Sequence, residues 1–135
     1  MSSVEEVVKA HPHPTATDRA LLLRAAEALF DCEESCTACA DACLGEEMVQ
    51  SLRRCIRICL DCADSCAATH RLVLRQTESD STVLRRQLEA CATICRLCAE
   101  ECERHATHHA HCRLCAQSCR RCEQACGQLA GAVAG

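Results

Sequence analysis

The segment that decides the fold carries four cysteines in one short stretch: Cys32-Glu33-Glu34-Ser35-Cys36-Thr37-Ala38-Cys39-Ala40-Asp41-Ala42-Cys43. The steps between successive cysteines are 4, 3 and 4 residues. Because each residue of an α-helix turns the chain by about 100°, these steps keep all four side chains within a stripe of about 60°. A β-strand would place the same cysteines on both of its faces. The pattern therefore predicts a helix with one face lined by thiols.

The same spacing occurs three more times along the chain. The further sets are Cys55, Cys59, Cys62 and Cys66; Cys91, Cys95, Cys98 and Cys102; and Cys115, Cys119, Cys122 and Cys126. Cys112 is an additional cysteine three residues before the last set. Between the cysteines lie mainly Ala, Glu, Arg, Gln and Leu, which are mostly good helix formers. The repeat predicts an all-α fold with four thiol-faced helices.

Cap and turn residues divide the chain into these helices. Thr15 and Asp18 can cap the first long helix, and Gly45 ends it. Further helices are predicted over residues 46–76, 81–105 and 110–130, with turn chemistry at residues 77–81. Short connections favour an antiparallel up-down-up-down four-helix bundle. We therefore expect a short N-terminal helix and a His-Pro-His-Pro linker over residues 1–14, and a four-helix bundle over residues 15–135.

Stacking the antiparallel helices predicts a tube of thiols with two different ends. The expected layers are Cys32, Cys66, Cys91 and Cys126; Cys36, Cys62, Cys95 and Cys122; Cys39, Cys59, Cys98 and Cys119; and Cys43, Cys55, Cys102 and Cys115, with Cys112 beyond them. One end is predicted to be an apolar plug that contains Leu22, Leu29, Val73, Leu88 and Leu129, with His70 as its polar member. The other end is predicted to carry Met48, Leu52, His105 and His109, with His108 and His111 in the adjoining turn.

Composition excludes several classes of function. The 135 residues include 17 Cys but one Phe, no Tyr and no Trp, and the net charge is -4. Nucleic-acid binding is disfavoured because there are no aromatic platforms for base stacking and no basic field. The longest apolar stretch, residues 20–30, is interrupted by Arg24 and Glu27, so no membrane span is predicted. No export signal is evident at the N-terminus, and we expect a cytoplasmic location in which thiols stay reduced.

The density of thiols indicates metal binding, and the charge of the filled core favours Cu(I). Thiolates suit Cu(I), zinc and iron–sulfur clusters. Four stacked zinc sites with four thiolates each would bury a charge of about -8. Cu(I) needs two or three thiolates and can share them, so about one ion per cysteine leaves the core neutral. Iron–sulfur runs with their tighter Cys spacing and following Pro do not occur in this sequence.

The candidate metal ligands are all the cysteines together with the histidines and methionine at the open end. They are Cys32, Cys36, Cys39, Cys43, Cys55, Cys59, Cys62, Cys66, Cys91, Cys95, Cys98, Cys102, Cys112, Cys115, Cys119, Cys122, Cys126, His105, His108, His109, His111 and Met48. No catalytic triad or phosphate loop is present, so we predict a binding protein and not an enzyme. A zinc or mixed-metal thiolate buffer and a thiol redox sensor are the alternative interpretations. A copper chaperone or glutathione is the expected donor of Cu(I).

The four helical C-x3-C-x2-C-x3-C sets closely resemble the cysteine-rich copper storage proteins of bacteria. The resemblance covers about residues 16–130 and implies a bundle whose core thiols bind many Cu(I) ions. The exported branch of that family carries a twin-arginine signal, which is missing here, so the chain resembles the cytosolic branch. The resemblance also implies a homotetramer. It extends to the stripe cysteines and Cys112, and to Met48 and the histidines of the open end.

Overall fold

The structure is a computed structural model that describes residues 2–13 and 17–133. Its helices are α1 (Ser3–Lys9), α2 (Arg19–Leu44), α3 (Arg53–Leu74), α4 (Ser81–Arg104) and α5 (Ala110–Ala132), and a 3₁₀ turn (Val49–Leu52) precedes α3. Four of these helices are long enough to carry a complete cysteine set each. The predicted all-α fold with a short N-terminal helix is confirmed for the described part of the chain.

Side-chain caps fix the starts of two of the long helices. Asp18 caps α2, and its Oδ1 accepts hydrogen bonds from the backbone N–H groups of Ala20 (2.8 Å) and Leu21 (3.2 Å). Asp80 caps α4 in the same way by accepting from the N–H of Val83 at 3.0 Å. These carboxylates satisfy backbone donors that a helix start leaves without partners. Thr15, the other predicted cap residue of α2, lies outside the described residues.

The connection between α2 and α3 is longer than predicted. Gly45 is the C-cap of α2, and its N–H donates to the carbonyl of Ala42 at 3.0 Å. The sequence predicted that the next helix starts at residue 46, but α3 starts at Arg53 after the 3₁₀ turn. The intervening residues are needed because the chain reverses direction here. Leu52, the last residue of the 3₁₀ turn, is buried. Because α3 starts later than predicted, Glu46 and Met48 lie in the connecting turn and not in a helix.

The four long helices pack as a square in which every neighbouring pair is antiparallel. Helix α2 lies against α3 and α5, and α4 lies against the same two helices. Short links join α2 to α3, α3 to α4 and α4 to α5, whereas α2 and α5 are joined by no direct link. The short helix α1 lies outside the square, with Val8 packed against its core. This is the predicted up-down-up-down arrangement, and it directs one face of each long helix toward a shared axis.

Aliphatic side chains fill one end of the square. The residues Leu22, Leu29, Val73, Leu88 and Leu129 are fully buried there and form an apolar plug. The plug matches the sequence-based prediction except for its polar member. His70 is half-buried at the edge, with its ring 5.7 Å from that of Phe30, and burial lowers its pKa.

The buried polar residue of the plug is Thr69 rather than His70. Its hydroxyl donates to the carbonyl of Ser65 at 2.7 Å and accepts from the Gln87 amide at 2.9 Å. A threonine can satisfy its hydroxyl on its own helix by donating to the carbonyl four residues earlier. A histidine in the same place would need two partners for its ring nitrogens, which makes its burial less favourable.

Shortening a plug residue is expected to destabilise the bundle strongly. The substitution Leu29→Ala removes a fully buried side chain, and we expect the free energy of unfolding to fall by about 2–5 kcal/mol. Urea unfolding of the metal-free, reduced protein followed by circular dichroism measures this change. Leu44→Ala is the matched control on an exposed leucine of the same helix and should change stability by no more than about 0.5 kcal/mol. Equal losses in the two variants would contradict the assignment of the plug.

Among the described residues, none of the helices combines the length and the apolar character that crossing a bilayer requires.

Candidate metal centre

Cysteine side chains occupy the axis of the bundle beyond the apolar plug. All 17 are free thiols, and none is more than 2% exposed. The 4-3-4 spacing places each set on the face that its helix turns toward the other three. A protonated thiol behaves as a small apolar side chain, so these residues form the core of this half of the protein.

The sulfur atoms form one continuous column. Neighbouring Sγ atoms lie 3.5–3.9 Å apart, and the closest pair joins Cys36 to Cys119. Contacts link thiols within one helix, such as Cys62 and Cys66 at 3.9 Å, and between helices, such as Cys55 and Cys102 at 3.8 Å. These distances are well above the 2.03–2.05 Å of a disulfide bond and correspond to packed, separate thiols.

The thiols interleave instead of forming the flat layers that the sequence predicted. Cys32 was expected opposite Cys126 on α5, but its Sγ lies 3.8 Å from that of Cys119. Cys36 was expected opposite Cys122, but it contacts Cys115 at 3.7 Å. The layer assignments between α2 and α5 are therefore wrong by about one helical turn or more. Cys126 instead contacts Cys122 of its own helix at 3.9 Å.

The displacement of the thiols along the bundle axis, relative to the predicted layers, has two physical causes. Side chains on an α-helix point back toward its N-terminus, so thiols on antiparallel helices are displaced in opposite directions along the axis. In addition, no direct link joins α2 to α5, so their relative height is set by packing alone. Where a short link does join two helices, as for α3 and α4, the predicted neighbours meet: Cys66 with Cys91 at 3.9 Å, and Cys62 with Cys95 at 3.8 Å.

Several groups of ligand atoms along the column are close enough to hold a metal ion. In each group the ligand atoms lie within 4.8 Å of one another: Cys32, Cys66, Cys95 and Cys122; Cys32, Cys36, Cys62 and Cys119; Cys36, Cys98, Cys115 and Cys119; Cys39, Cys59, Cys102 and Cys115; and Cys39, Cys43, His111 and Cys112. The groups overlap, because Cys32, Cys36, Cys39, Cys115 and Cys119 each belong to two of them. Overlapping groups can be filled together only by ions that share thiolates.

One histidine joins the thiols at the open end. His111 Nδ1 lies 3.4 Å from the Sγ of Cys39 and 3.6 Å from that of Cys112. Its other ring nitrogen, Nε2, donates a hydrogen bond to the Glu46 carboxylate at 2.9 Å. This hydrogen bond is the main reason why the pKa of Glu46 is lowered, with nearby His109 adding to the effect. His111 therefore stands between a carboxylate and the last thiols of the column.

A second histidine is buried beside it. The ring of His109 stacks on that of His111 with centroids 5.4 Å apart and an interplanar angle of 23°. Its Nδ1 lies 2.7 Å from the same Glu46 oxygen that His111 contacts. Its Nε2 is buried and has no hydrogen-bond partner among the described residues. This nitrogen is therefore available to a ligand that enters from the open end.

The remaining candidates of the open end are placed further from the thiol column. His105 Nε2 pairs with the buried carboxylate of Glu101 at 3.0 Å. His108 is exposed, with its ring 6.4 Å from that of His109. Met48 is 54% exposed because the chain is in a turn at this position and has not yet entered α3. Copper ligation by these three residues stays a prediction.

Two carboxylates at the open end were not among the predicted site residues. Glu46 contacts two histidines from a turn that the sequence was expected to continue as helix. Glu101 is buried and pairs with Arg104 and His105 of its own helix. The spacing of four residues between Glu101 and His105 is a signal for such a pair on a helix. Glu46 gave no comparable signal, since its partners lie more than sixty residues away in the sequence.

Burial makes two thiols near the open end, Cys43 and Cys112, weaker acids than free cysteine. Desolvation by burial is the main cause that raises the pKa of Cys43 from 9.0 to about 11. Desolvation is also the main cause that raises the pKa of Cys112. These thiols are protonated at neutral pH in the metal-free protein, and a metal ion must displace their protons.

The comparison with known families agrees with this geometry. The family model described as copper storage protein, Csp, matches residues 18–131. The chain belongs to the copper storage protein (Csp) family. The match spans the cysteine-lined helices α2 to α5. Membership of a storage family also supports the prediction that the chain is not an enzyme.

Solved structures resemble this Csp-family chain over almost its whole length. The copper storage protein Ccsp from Streptomyces lividans, loaded with 10 copper equivalents, is 46% identical with a TM-score of 0.94, covering 96% of this chain and 99% of that chain. Another structure, described as copper loading to a cytosolic copper storage protein from Streptomyces lividans with five coppers, is 49% identical with a TM-score of 0.84. The match covers 86% of this chain and 97% of that chain.

A relative by sequence is the uncharacterized cysteine-rich protein YhjQ of Bacillus subtilis (strain 168). It is 36% identical over 104 residues, which are 77% of this chain and 91% of that protein.

Alkaline pH is expected to destabilise the metal-free Csp-family bundle. The pKa of Cys43 is higher in the folded chain than in the unfolded one, so its contribution to stability is complete below pH about 9 and is lost as the pH rises through about 11. Urea unfolding under anaerobic, reducing conditions at several pH values across this window measures the loss. A Cys43→Ser variant lacks this titrating thiol and should lose less stability over the same window. An unfolding free energy that stays constant would contradict the raised pKa.

Proposed function

We propose that this chain stores Cu(I) in the cytosol by binding many ions along its column of core thiolates. The observation that carries this proposal is the overlap of the ligand groups, in which Cys32, Cys36, Cys39, Cys115 and Cys119 each serve two groups. Cu(I) accepts two or three thiolates and allows each thiolate to bridge two ions. The column therefore suits a chain of ions at a ratio of about one per cysteine.

The burial of the column favours a monovalent ion over a divalent one. A single group of four thiols would also fit zinc, because a Zn–S distance of about 2.3 Å places the sulfurs of a tetrahedron about 3.8 Å apart. Each such zinc site, however, leaves a net charge of -2, and burying uncompensated charge is unfavourable. When Cu⁺ replaces a thiol proton, the net charge of the core does not change. A filled column of Cu(I) thiolates is therefore as neutral as the metal-free core.

The two ends of the tube suggest how copper enters. The aliphatic plug closes one end, whereas the other carries His109 and His111 next to the last thiols. We infer that Cu(I) arrives at the histidine end from a copper chaperone or glutathione and moves inward by ligand exchange. The proposed storage ligands are all the cysteines, with His111 at the column and His105, His108, His109 and Met48 as entry ligands. We propose that storage resides in residues 15–135 and that residues 1–14 lie outside the storage domain.

Anaerobic titration with Cu(I) against a chromophoric chelator tests the storage function. Because the ions share thiolates, we expect uptake to continue to about one ion per cysteine, and to weaken at lower pH because protons compete for the thiolates. Saturation at one or two ions per chain would contradict the proposal. Competition with Zn²⁺, followed by elemental analysis, is the control for the choice of metal, and Cu(I) should displace zinc.

We also propose that the bundles assemble as a homotetramer, as the family resemblance implies. Apolar side chains on the outer faces of different long helices support an assembly, since Phe30, Leu60, Leu97 and Leu114 are exposed in the single chain. Such residues are common at interfaces between subunits. Light scattering coupled to size-exclusion chromatography should give a mass about four times that of one chain. A monomeric mass at micromolar concentration would overturn this proposal without affecting copper binding.

A further inference from the structure

Glu46 stands between the two stacked imidazoles of the open end. One of its carboxylate oxygens, Oε2, lies 2.9 Å from Nε2 of His111 and 2.7 Å from Nδ1 of His109. The same oxygen thus meets the two rings at chemically different nitrogens. The contact joins the turn after α2 to the start of α5, where His109 is the N-cap residue.

The chemistry of a carboxylate decides where the ring protons lie. An ionised carboxylate offers only lone pairs, so a nitrogen that approaches it this closely carries a proton. In the neutral imidazole the other nitrogen then keeps its lone pair. His111 is therefore protonated at Nε2 and free at Nδ1, whereas His109 is protonated at Nδ1 and free at Nε2.

One of the two free nitrogens faces thiols, and the other is buried without a partner among the described residues. The lone pair of His111 Nδ1 is directed to the Cys39 and Cys112 thiols at 3.4 and 3.6 Å. His109 Nε2 is buried, and it has no hydrogen-bond partner within the described part of the chain. Leaving such a buried atom unpaired is unfavourable, so its retention is explained if an ion binds at this position.

We propose that Glu46 is a positioning residue for copper loading, which fixes opposite tautomers on His109 and His111 so that each ring presents a free nitrogen to Cu(I). The inference rests on the proposed storage function. Metal-binding histidines commonly donate their second N–H to a carboxylate, which sets the tautomer and the ring orientation. Here a single carboxylate oxygen does this for two rings at once.

Nitrogen NMR of the metal-free protein tests the tautomers without any copper. In the wild-type protein, the ring ¹⁵N shifts should show a protonated Nε2 on His111 and a protonated Nδ1 on His109. Glu46→Ala should turn both rings into mixtures of tautomers. Glu47→Ala is the matched control, because it removes an exposed carboxylate from the next position and should leave both rings unchanged. Wild-type tautomers in Glu46→Ala would overturn the proposal.

Stopped-flow loading from a Cu(I)–chelator complex tests the consequence for copper. We expect Glu46→Ala to slow uptake of the first ions by about 10–100-fold, while the final capacity stays at the wild-type value because the thiols are intact. Glu46→Gln retains an oxygen that accepts N–H groups and should recover most of the rate. Equal slowing by Glu46→Ala and Glu47→Ala would show a simple charge effect and overturn positioning. A wild-type protein that saturates at one or two ions would refute the storage function instead, whatever the tautomers are.

Discussion

A thiol is a small apolar side chain when it is protonated and a soft metal ligand when it is not, and the whole molecule depends on this dual character. The cysteines that fill the axis of the bundle also supply the ligand groups. Because each helix turns its thiol face inward, the packing that folds the chain also brings sulfurs from different helices within 3.9 Å of one another. In the thiol-lined half of the bundle, core and metal centre are therefore one set of atoms, and a change to either is a change to both.

The features that follow from helix geometry could be predicted from the sequence. The 4-3-4 spacing was enough to place every cysteine of the four sets on an inward face, and antiparallel packing followed from the short links. The positions of the thiols along the bundle axis could be predicted where a short link connects two helices, as for Cys66 and Cys91. They could not be predicted between α2 and α5, where Cys32 meets Cys119, because side-chain packing alone sets that register.

The open end was less predictable, because its side chains are organised by contacts between residues distant in sequence. Extending the cysteine stripe placed His105 and His109 at the open end of the tube, and His108 and His111 in the adjoining turn. In the structure His111 lies nearest to the thiols, and His105 is held by Glu101. Helical periodicity stops being informative where the chain leaves the helix, as it does around residues 105–109. Glu46 escaped notice for the same reason, since only the folded turn brings it to the two rings.

The aliphatic plug has a consequence for the folding of the metal-free protein. Small zinc domains collapse when their metal is removed, because the ion supplies most of their folding free energy. Here Leu22, Leu29, Leu88 and Leu129 hold the helices together at an end that takes no part in ligation. The metal-free chain therefore has a folded core of its own, and we expect copper to enter a bundle that is already assembled.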